Sequence, residues 1–233
     1  MERMRYEVVV VGGGHAGVEA AWAAANLLGG SKTVGLITLR RDTVGVMSCN
    51  PAIGGLAKGQ IVREVDALGG LMGLAADASG LSFKMLNTSK GPAVHGPRAQ
   101  CDRHVYRETV LALVESRDEI DLIEGAVEGF EIEKGASGDQ VIGVRAVVGG
   151  RTVLIECGAA VLTTGTFMRG LMHTGESKTP GGRYGEQPAT GISAELLRLG
   201  FELGRLKTGT PPRLDRRTIA WDELEDAPGD AEP

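Results

Sequence analysis

The sequence predicts an α/β fold: a parallel sheet opened by a β-α-β unit and joined, mid-chain, by a small antiparallel β meander. Three observations predict it. The apolar run Val8-Val9-Val10-Val11 breaks into Gly12-Gly13-Gly14-His15-Ala16-Gly17 and then enters an alanine-rich stretch. Short β-rich runs, Asp121–Ile123, Ala126–Ile132, Val141–Val148 and Thr152–Glu156, follow with glycine turns between them. The run Ala159-Ala160-Val161-Leu162-Thr163-Thr164-Gly165 then has the composition of a buried strand returning to the parallel sheet.

The first unit is legible residue by residue. Val8–Val11 is a strand. A helix is expected from Ala16 to about Leu28, because alanine is a strong helix former, and Gly29-Gly30 stop it. Thr33–Leu39 is the second strand, which completes a β-α-β unit of about the expected ~30 residues. Gly12, Gly14 and Gly17 fall at the G-x-G-x-x-G spacing of a dinucleotide-binding turn. Gly12 lets the chain leave the strand, Gly14 removes a Cβ that would block phosphates, and Gly17 lets the helix pack close to the sheet. The backbone of Gly12, Gly13, Gly14, His15, Ala16 and Gly17 is thereby turned toward a pyrophosphate at a helix N-terminus. His15 is expected to orient backbone rather than to transfer protons. A glycine turn that binds nothing is the bland alternative, and the surrounding strand-helix-strand pattern weighs against it. Which dinucleotide binds stays open. The second strand ends Thr38-Leu39-Arg40-Arg41-Asp42, with no acid at the position that meets a ribose hydroxyl. Asp42 displaced into that role is one reading; arginines that suit a 2′-phosphate, or are simply solvated, are the others.

Composition bounds the rest. A net charge of −5 over 233 residues argues against bulk attraction to nucleic acid but leaves room for a local basic patch. The N-terminal residues carry no apolar signal core or arginine-rich transit pattern, and Val8–Val11 is far too short to span a bilayer. Three widely spaced cysteines form neither a disulfide framework nor a zinc pattern, so no metal and a reducing, cytoplasmic setting are expected.

Beyond the first unit, Asp42–Gly59 reads as a loop. Ile61, Val65, Leu68 and Met72 fall at helical spacing, and Leu81–Leu86 as a short strand. Asn87–Arg98 is a second polar loop, and an amphipathic helix runs from about Gln100 to Ser116. Gly170–Gly191 is a third glycine-rich loop. Ser193–Leu199 is a helix ended by Gly200, Phe201–Leu206 restarts a strand pattern, and Asp222–Pro233 is acidic and reads as a frayed end.

Four segments carry a family resemblance: Gly12-Gly13-Gly14-His15-Ala16-Gly17-Val18-Glu19-Ala20-Ala21, Met47-Ser48-Cys49-Asn50-Pro51-Ala52-Ile53-Gly54-Gly55, Ser89-Lys90-Gly91-Pro92-Ala93-Val94 and Leu206-Lys207-Thr208-Gly209-Thr210-Pro211-Pro212-Arg213. The chain resembles the N-terminal part of the MnmG (GidA) family, and the cysteine and lysine loops are more specific than the glycine turn. The resemblance implies a Rossmann-like, glutathione-reductase-type FAD-binding domain over residues 1–203 and the beginning of an inserted second domain over 204–233, the family being more than twice this length. It implies an FAD-dependent enzyme that adds a carboxymethylaminomethyl or aminomethyl group at C5 of tRNA uridine 34. It further implies NADH as reductant, a folate one-carbon donor, glycine or ammonium as amine source, the GTPase MnmE as partner and a homodimer. The family too lacks the acid after the second strand. The backbone at Val127 and the position near Ala189 and Thr190 would approach FAD.

The chemistry explains the residue types. C5 of uridine is a poor nucleophile; a thiolate added at C6 makes C5 enolate-like and able to attack an iminium carbon. Cys49, in a polar glycine-rich loop expected just before a helix, fits that task. A cysteine that tunes the flavin, or a small residue required by a tight loop, are the competing readings. Lys90 and Arg98 lie in or beside the second loop, Arg103 and Arg107 share a helix face, Lys178 and Arg183 flank Pro180-Gly181-Gly182, and Lys207 and Arg213 flank Thr208–Pro212. These are phosphate or tRNA contacts in one reading and a solvated surface in the other. His95 stands where the family often has arginine, and Cys101 and Cys157 are expected to be buried small residues. Two other function classes stay in view: a stand-alone FAD/NAD(P)-binding module, and a generic flavin oxidoreductase without tRNA activity. The folate-dependent methyltransferase of tRNA uridine 54 is a near neighbour that the Cys49–Gly55 segment suits less well.

Overall fold

A computed structural model describes residues 4–136, 138–183, 185–186, 188–209 and 211–231. Ser137, within the turn expected at 135–138, and Thr210, within the fourth motif, lie outside the described residues. In chain order the elements are β1 (Met4–Val11), α1 (His15–Leu28), β2 (Val34–Thr38), β3 (Ala52–Gly54), α2 (Lys58–Ala67), α3 (Met72–Ser79), β4 (Gly80–Leu86) and β5 (Gly96–Cys101). Then come α4 (Arg103–Glu115), β6 (Ile120–Glu124), β7 (Ala126–Gly135), β8 (Gly138–Val148), β9 (Arg151–Leu162), β10 (Leu171–Thr174), β11 (Ser177–Pro180) and α5 (Gly191–Arg198). The chain divides into two compact units, Met1–Val46 with Val110–Arg205, and Met47–Thr109 with Leu206–Pro233. Among the described residues no helix is long and apolar enough to cross a membrane.

The first unit is α/β, built on a six-stranded sheet in the order β6-β2-β1-β9-β8-β7. β6, β2, β1 and β9 run parallel; β9, β8 and β7 form the antiparallel meander. Two expectations change here. Ile120–Glu124 belongs to the parallel sheet, paired with β2, rather than to the meander. The runs at 152–156 and 159–165 are one strand of 12 residues, β9. It pairs with β8 up to Glu156 and with β1 from Ile155 to Leu162, so the meander continues the main sheet. Cys157 and Gly158, which lie between the two runs, continue the strand, with Cys157 opposite Tyr6 of β1.

Strand β1 is buried on both faces, as a central parallel strand requires. Val9 and Val11 join Ile37, Ile123, Phe130, Val144 and Ile155 in the core. On the other face α1 buries Val18, Ala21 and Ala25. Helix α5 closes the core with Ile192 and is pinned to the meander by the almost fully buried Glu195. Its Oε1 accepts from the Phe130 N–H at 3.2 Å and from Arg145 Nη2 at 3.2 Å, and Arg198 binds both oxygens at 2.8 Å. The guanidinium and carboxyl groups pack over Gly129, where a Cβ would lie 2.5 Å from Arg145 Nη2 and 3.1 Å from the Glu195 carboxyl carbon. Gly200, at φ +87, ends α5; the Gly200 N–H bonds Leu197 O and the Phe201 N–H bonds Leu196 O, both at 3.0 Å. Phe201–Leu206 is therefore not a strand: its first N–H is consumed by the helix end, and the segment has no regular secondary structure.

The second unit carries a three-stranded antiparallel sheet, β3-β5-β4, with α2 and α3. The helical spacing from Ile61 to Met72 spans two helices instead of one. Gly69, at φ +83, bonds Asp66 O, and Gly70 N bonds Val65 O at 2.9 Å, a left-handed cap that stops α2. Ile61 and Leu68 of that stripe are exposed. The loop expected at 87–98 gives way to β5 at Gly96, and Gln100 and Cys101 end that strand before Asp102 caps α4 through the N–H groups of His104 and Val105. The acidic tail is not simply frayed. Lys84 Nζ donates to Pro228 O at 3.0 Å, Asp230 N to Phe83 O at 2.8 Å, and Met85 N to Asp230 Oδ2 at 2.7 Å. Gly170–Gly191 contains the hairpin β10-β11 of the first unit.

The Glu195 cluster predicts a pH dependence. The Arg198 guanidinium, with the Phe130 N–H and Arg145, holds the Glu195 carboxyl at about 2, below its ordinary 4.5. Because the folded-state value is the lower one, its contribution to stability is complete above pH 4.5 and is lost as pH falls toward 2. Glu195→Ala should cost about 1–2 kcal/mol at pH 7, chiefly through the buried Phe130 N–H left without its acceptor, because Arg198 and Arg145 are exposed enough to be resolvated. Urea titrations of both proteins at pH 7 and pH 3 should show that difference shrinking at the lower pH.

Candidate functional site

The glycine turn sits at the carboxyl ends of β1, β2 and β9, where open α/β sheets bind ligands. Gly12 adopts φ +114, a backbone that L side chains avoid. Its N–H donates to Ile37 O at 2.8 Å, which ties the turn to β2. Just past β9, Thr163 N donates to Val11 O at 2.9 Å, and Thr163 Oγ1 donates to Val11 O at 2.9 Å and Gly12 O at 3.1 Å. Gly45 N donates to Gly13 O at 2.9 Å. The turn is thus fixed from three sides before any ligand arrives.

The glycines divide into two kinds. A Cβ on Gly17 would lie 1.7 Å from Gly12 O, and one on Gly13 would lie 2.7 Å from Thr38 Oγ1. These two are required by packing; Gly17 serves close approach to the turn itself more than to the sheet. A Cβ on Gly14 would meet nothing within 4 Å, and its φ of −76 suits any residue. Gly14 therefore leaves open space at the start of α1. No side chain caps α1, and no acid stands in its first turn. The helix end keeps its donors and its partial positive charge for an anion. The residues fit a pyrophosphate: an open face above Gly14, exposed Ala16, and helix N–H groups directed outward. Burial lowers the pKa of His15, which keeps the imidazole neutral at pH 7.

At the end of β2, Arg40 binds Asp42 through Nε at 2.9 Å and through a second nitrogen, and Arg41 binds Glu115 at 2.7 Å. Asp42 is engaged by an arginine, and neither guanidinium is simply solvated. Arg40, Arg41, Asp42, Leu111 and Glu124 line an open depression beside this strand end. Val127 lies near the start of β7, three residues past Glu124, paired with Ala146. Ala189 N donates to Phe167 O and Ala189 O accepts from Arg169 N, both at 2.8 Å, so its main chain is occupied in holding residues 167–169.

In the second unit, Cys49 is partly buried in the loop before β3. The helix expected after this loop is α2, which starts at Lys58, with the short strand β3 between it and Cys49. The 206–213 segment meets the loop instead: Cys49 Sγ donates to Gly209 O at 3.5 Å, and Arg213 Nη2 donates to Cys49 O at 2.5 Å. Two of the motifs, distant in sequence, are brought together here. Lys90 and Lys207 are exposed, and Arg98 is exposed on β5. The His95 ring bonds Lys90 O at 3.1 Å and closes the lysine loop. Arg107 pairs with Glu108 while Arg103 is exposed, and in the first unit Arg183 pairs with Glu186 at 2.8 Å. Cys101 and Cys157 are buried, and burial raises both thiol pKa values. Sequence reasoning missed Thr38, Thr163 and Glu124. Their signal was position, each near the carboxyl end of a strand flanking the turn.

A family model described as glucose inhibited division protein A matches residues 7–233. A protein of Rhodopirellula baltica named tRNA uridine 5-carboxymethylaminomethyl modification enzyme MnmG is 53% identical over 99% of this chain and 35% of its own length. One of the same name from Geobacter metallireducens is 51% identical over 98% of this chain and 35% of its own length. The structure of Aquifex aeolicus GidA superposes with a TM-score of 0.89 at 49% identity, covering 98% of this chain and 36% of that one. A GidA-related protein from Thermus thermophilus shares the fold, with a TM-score of 0.58 at 22% identity over 84% of this chain and 69% of that one. The chain thus spans about a third of the length of the curated relatives it matches.

The two kinds of glycine should separate in experiment. Gly17→Ala should lower stability by about 3 kcal/mol or more, because backbone has to move. Gly14→Ala should change stability by less than about 1 kcal/mol, the cost of a poorer helix cap. It should nevertheless weaken dinucleotide binding at least tenfold. Thermal melting and ligand titration on the two variants check both arms.

Proposed function

Because the chain belongs to the glucose inhibited division protein A (GidA) family, we propose that it forms the FAD-binding part of an enzyme that modifies tRNA at C5 of uridine 34, adding a carboxymethylaminomethyl or aminomethyl group. In this reading residues 1–203 belong to the dinucleotide-binding domain and residues 204–233 begin an inserted second domain. The observation that carries the cofactor is the open face at Gly14, at the uncapped start of α1, inside a turn that is otherwise tightly packed. The ion-paired state of Arg40 and Arg41 favours a dinucleotide without a 2′-phosphate. The tRNA substrate is supported by the names of the relatives.

FAD, when bound, would supply the redox chemistry. The chain's own residues do the rest. Backbone N–H groups of the turn beyond Gly12, whose own N–H is taken by Ile37 O, hold the pyrophosphate, with the neutral His15 ring supporting the turn. The Cys49 thiolate adds to C6 of the uracil ring, which delivers electron density to C5 for attack on the iminium carbon. Loss of the C5 proton and expulsion of the thiolate restore the ring. Arg213 holds the Cys49 carbonyl and so fixes the loop, while Lys90, Arg98 and Lys207 contact tRNA phosphates. NADH as reductant, a folate one-carbon donor, MnmE as partner, a homodimer and a cytoplasmic setting complete the proposal.

Visible spectra of the purified chain, and of the reading frame extended downstream, test the cofactor: flavin absorbance in neither would sink it. In the longer protein Cys49→Ser should reduce tRNA modification at least a hundredfold with flavin content unchanged. A wild-type rate in that variant would remove Cys49 as nucleophile.

A further inference from the structure

A dinucleotide on a glycine turn directs one ribose toward the end of the second strand, where a carboxylate accepts its hydroxyls. Here β2 ends in Thr38 and runs on into Leu39, Arg40 and Arg41. The next acid, Asp42, is held by the Arg40 guanidinium. The neighbouring strand supplies what β2 lacks. β6 ends in Glu124, and the parallel register sets Glu124 beside Thr38. The Gly125 N–H continues the ladder to Thr38 O at 2.8 Å, so the two strand ends are in step at the carboxyl edge of the sheet. Adjacent strands lie about 5 Å apart. Moving the acid from β2 to β6 therefore displaces it by about one strand spacing, which is within the span of a glutamate side chain.

Glu124 is exposed, lines the depression with Arg40, Arg41, Asp42 and Leu111, and takes part in no salt bridge among the described residues. The other carboxylates nearby are committed to salt bridges: Asp42 to Arg40, Glu115 to Arg41 at 2.7 Å, and Glu186 to Arg183, while Glu124 and Glu186 act on Arg40 only through the longer-range field. We propose that Glu124 is the carboxylate that accepts the ribose hydroxyls of the dinucleotide's adenosine half, and that it excludes a ribose bearing a 2′-phosphate. The proposal rests on the FAD reading and adds the residue that selects the sugar.

The selection follows from donor and acceptor chemistry. An ionised carboxylate only accepts hydrogen bonds, and a 2′,3′-diol offers two donors. A 2′-phosphate removes one donor and brings close to two negative charges. It would face Glu124 with both guanidinium groups already neutralised by Asp42 and Glu115. Discrimination then comes as much from repulsion as from attraction.

The test uses the reading frame extended downstream, with thermal melting as a folding control. Flavin fluorescence quenching gives FAD affinity, and displacement by ADP-ribose or by 2′-phospho-ADP-ribose gives the sugar preference. A hydrogen bond to a charged group is worth about a factor of ten or more in affinity. Glu124→Ala should therefore weaken FAD and ADP-ribose binding about tenfold with melting unchanged. Glu124→Gln, which keeps an acceptor but loses the charge, should weaken them less, yet both variants should bind 2′-phospho-ADP-ribose relatively better than the wild type does. Asp42→Asn should leave FAD affinity within about twofold. If the wild type binds FAD and both Glu124 variants match it in affinity and sugar preference, the assignment of Glu124 is overturned while the FAD reading stands. If the wild type binds neither FAD nor ADP-ribose, both fall together.

Discussion

The arrangement of the first unit depends on one contact: Gly17 lying directly against the Gly12 carbonyl. A Cβ there would sit 1.7 Å from the oxygen, so the distance between the end of β1 and the first turn of α1 is set by the absence of a side chain. Thr163 completes the constraint, with Oγ1 bonded to both Val11 O and Gly12 O. Gly12 itself can satisfy this geometry only in a left-handed backbone. Once the helix is brought this close, its small inward residues Ala21 and Ala25 let it stay close along its length. The anion-binding end is then a consequence of packing, since the same approach that seats α1 also leaves its first turn uncovered at Gly14.

The second constraint is β9. Among the described residues it is the strand that pairs parallel on one side, with β1, and antiparallel on the other, with β8. Only Gly125 separates β6 from β7, although these strands stand at opposite ends of the sheet order. The sheet must curl for both to be true, and the Glu195 cluster locks α5 onto the curled meander. Burying a carboxylate there is tolerable because Arg198, Arg145 and the Phe130 N–H together replace the water it loses.

These two constraints explain what the sequence revealed. The β-α-β unit was legible because its signals are local: a valine run, glycines at fixed spacing, an alanine helix and a second apolar run. The meander strands were legible as strands, but their membership of the parallel sheet was not, since register between β9 and β1 is a contact across about 150 residues. The break at Gly69 was hidden because the apolar spacing continues from Ile61 through it to Met72, while the left-handed cap depends on backbone alone. Around Cys49, composition showed a loop leading to a helix but not the short strand β3 within it. The partner that does meet the loop, Arg213, is 164 positions away. The FAD-contact roles given to Val127 and Ala189 came from resemblance; spacing and periodicity carry no signal for them.

On the reading proposed for this chain, a sequence with a net charge of −5 that contacts tRNA has to concentrate its free positive charge. At the nucleotide end it does the opposite. Arg40, Arg41 and Arg183 are each held by a carboxylate, which suits a cofactor whose phosphates are met by backbone N–H groups rather than by guanidinium groups. In the second unit Lys90, Arg98, Lys207 and Arg213 take part in no salt bridge among the described residues, and Arg213 keeps its charge while bonding a carbonyl. Exposed cations of this kind contribute long-range attraction to a polyanion that paired ones do not. On the reading proposed for this chain, the division is chemical: the first unit binds its dinucleotide by backbone and helix dipole, with Arg40 and Arg41 at the end of β2 paired to carboxylates, and the second keeps Lys90, Arg98, Lys207 and Arg213 out of salt bridges among the described residues.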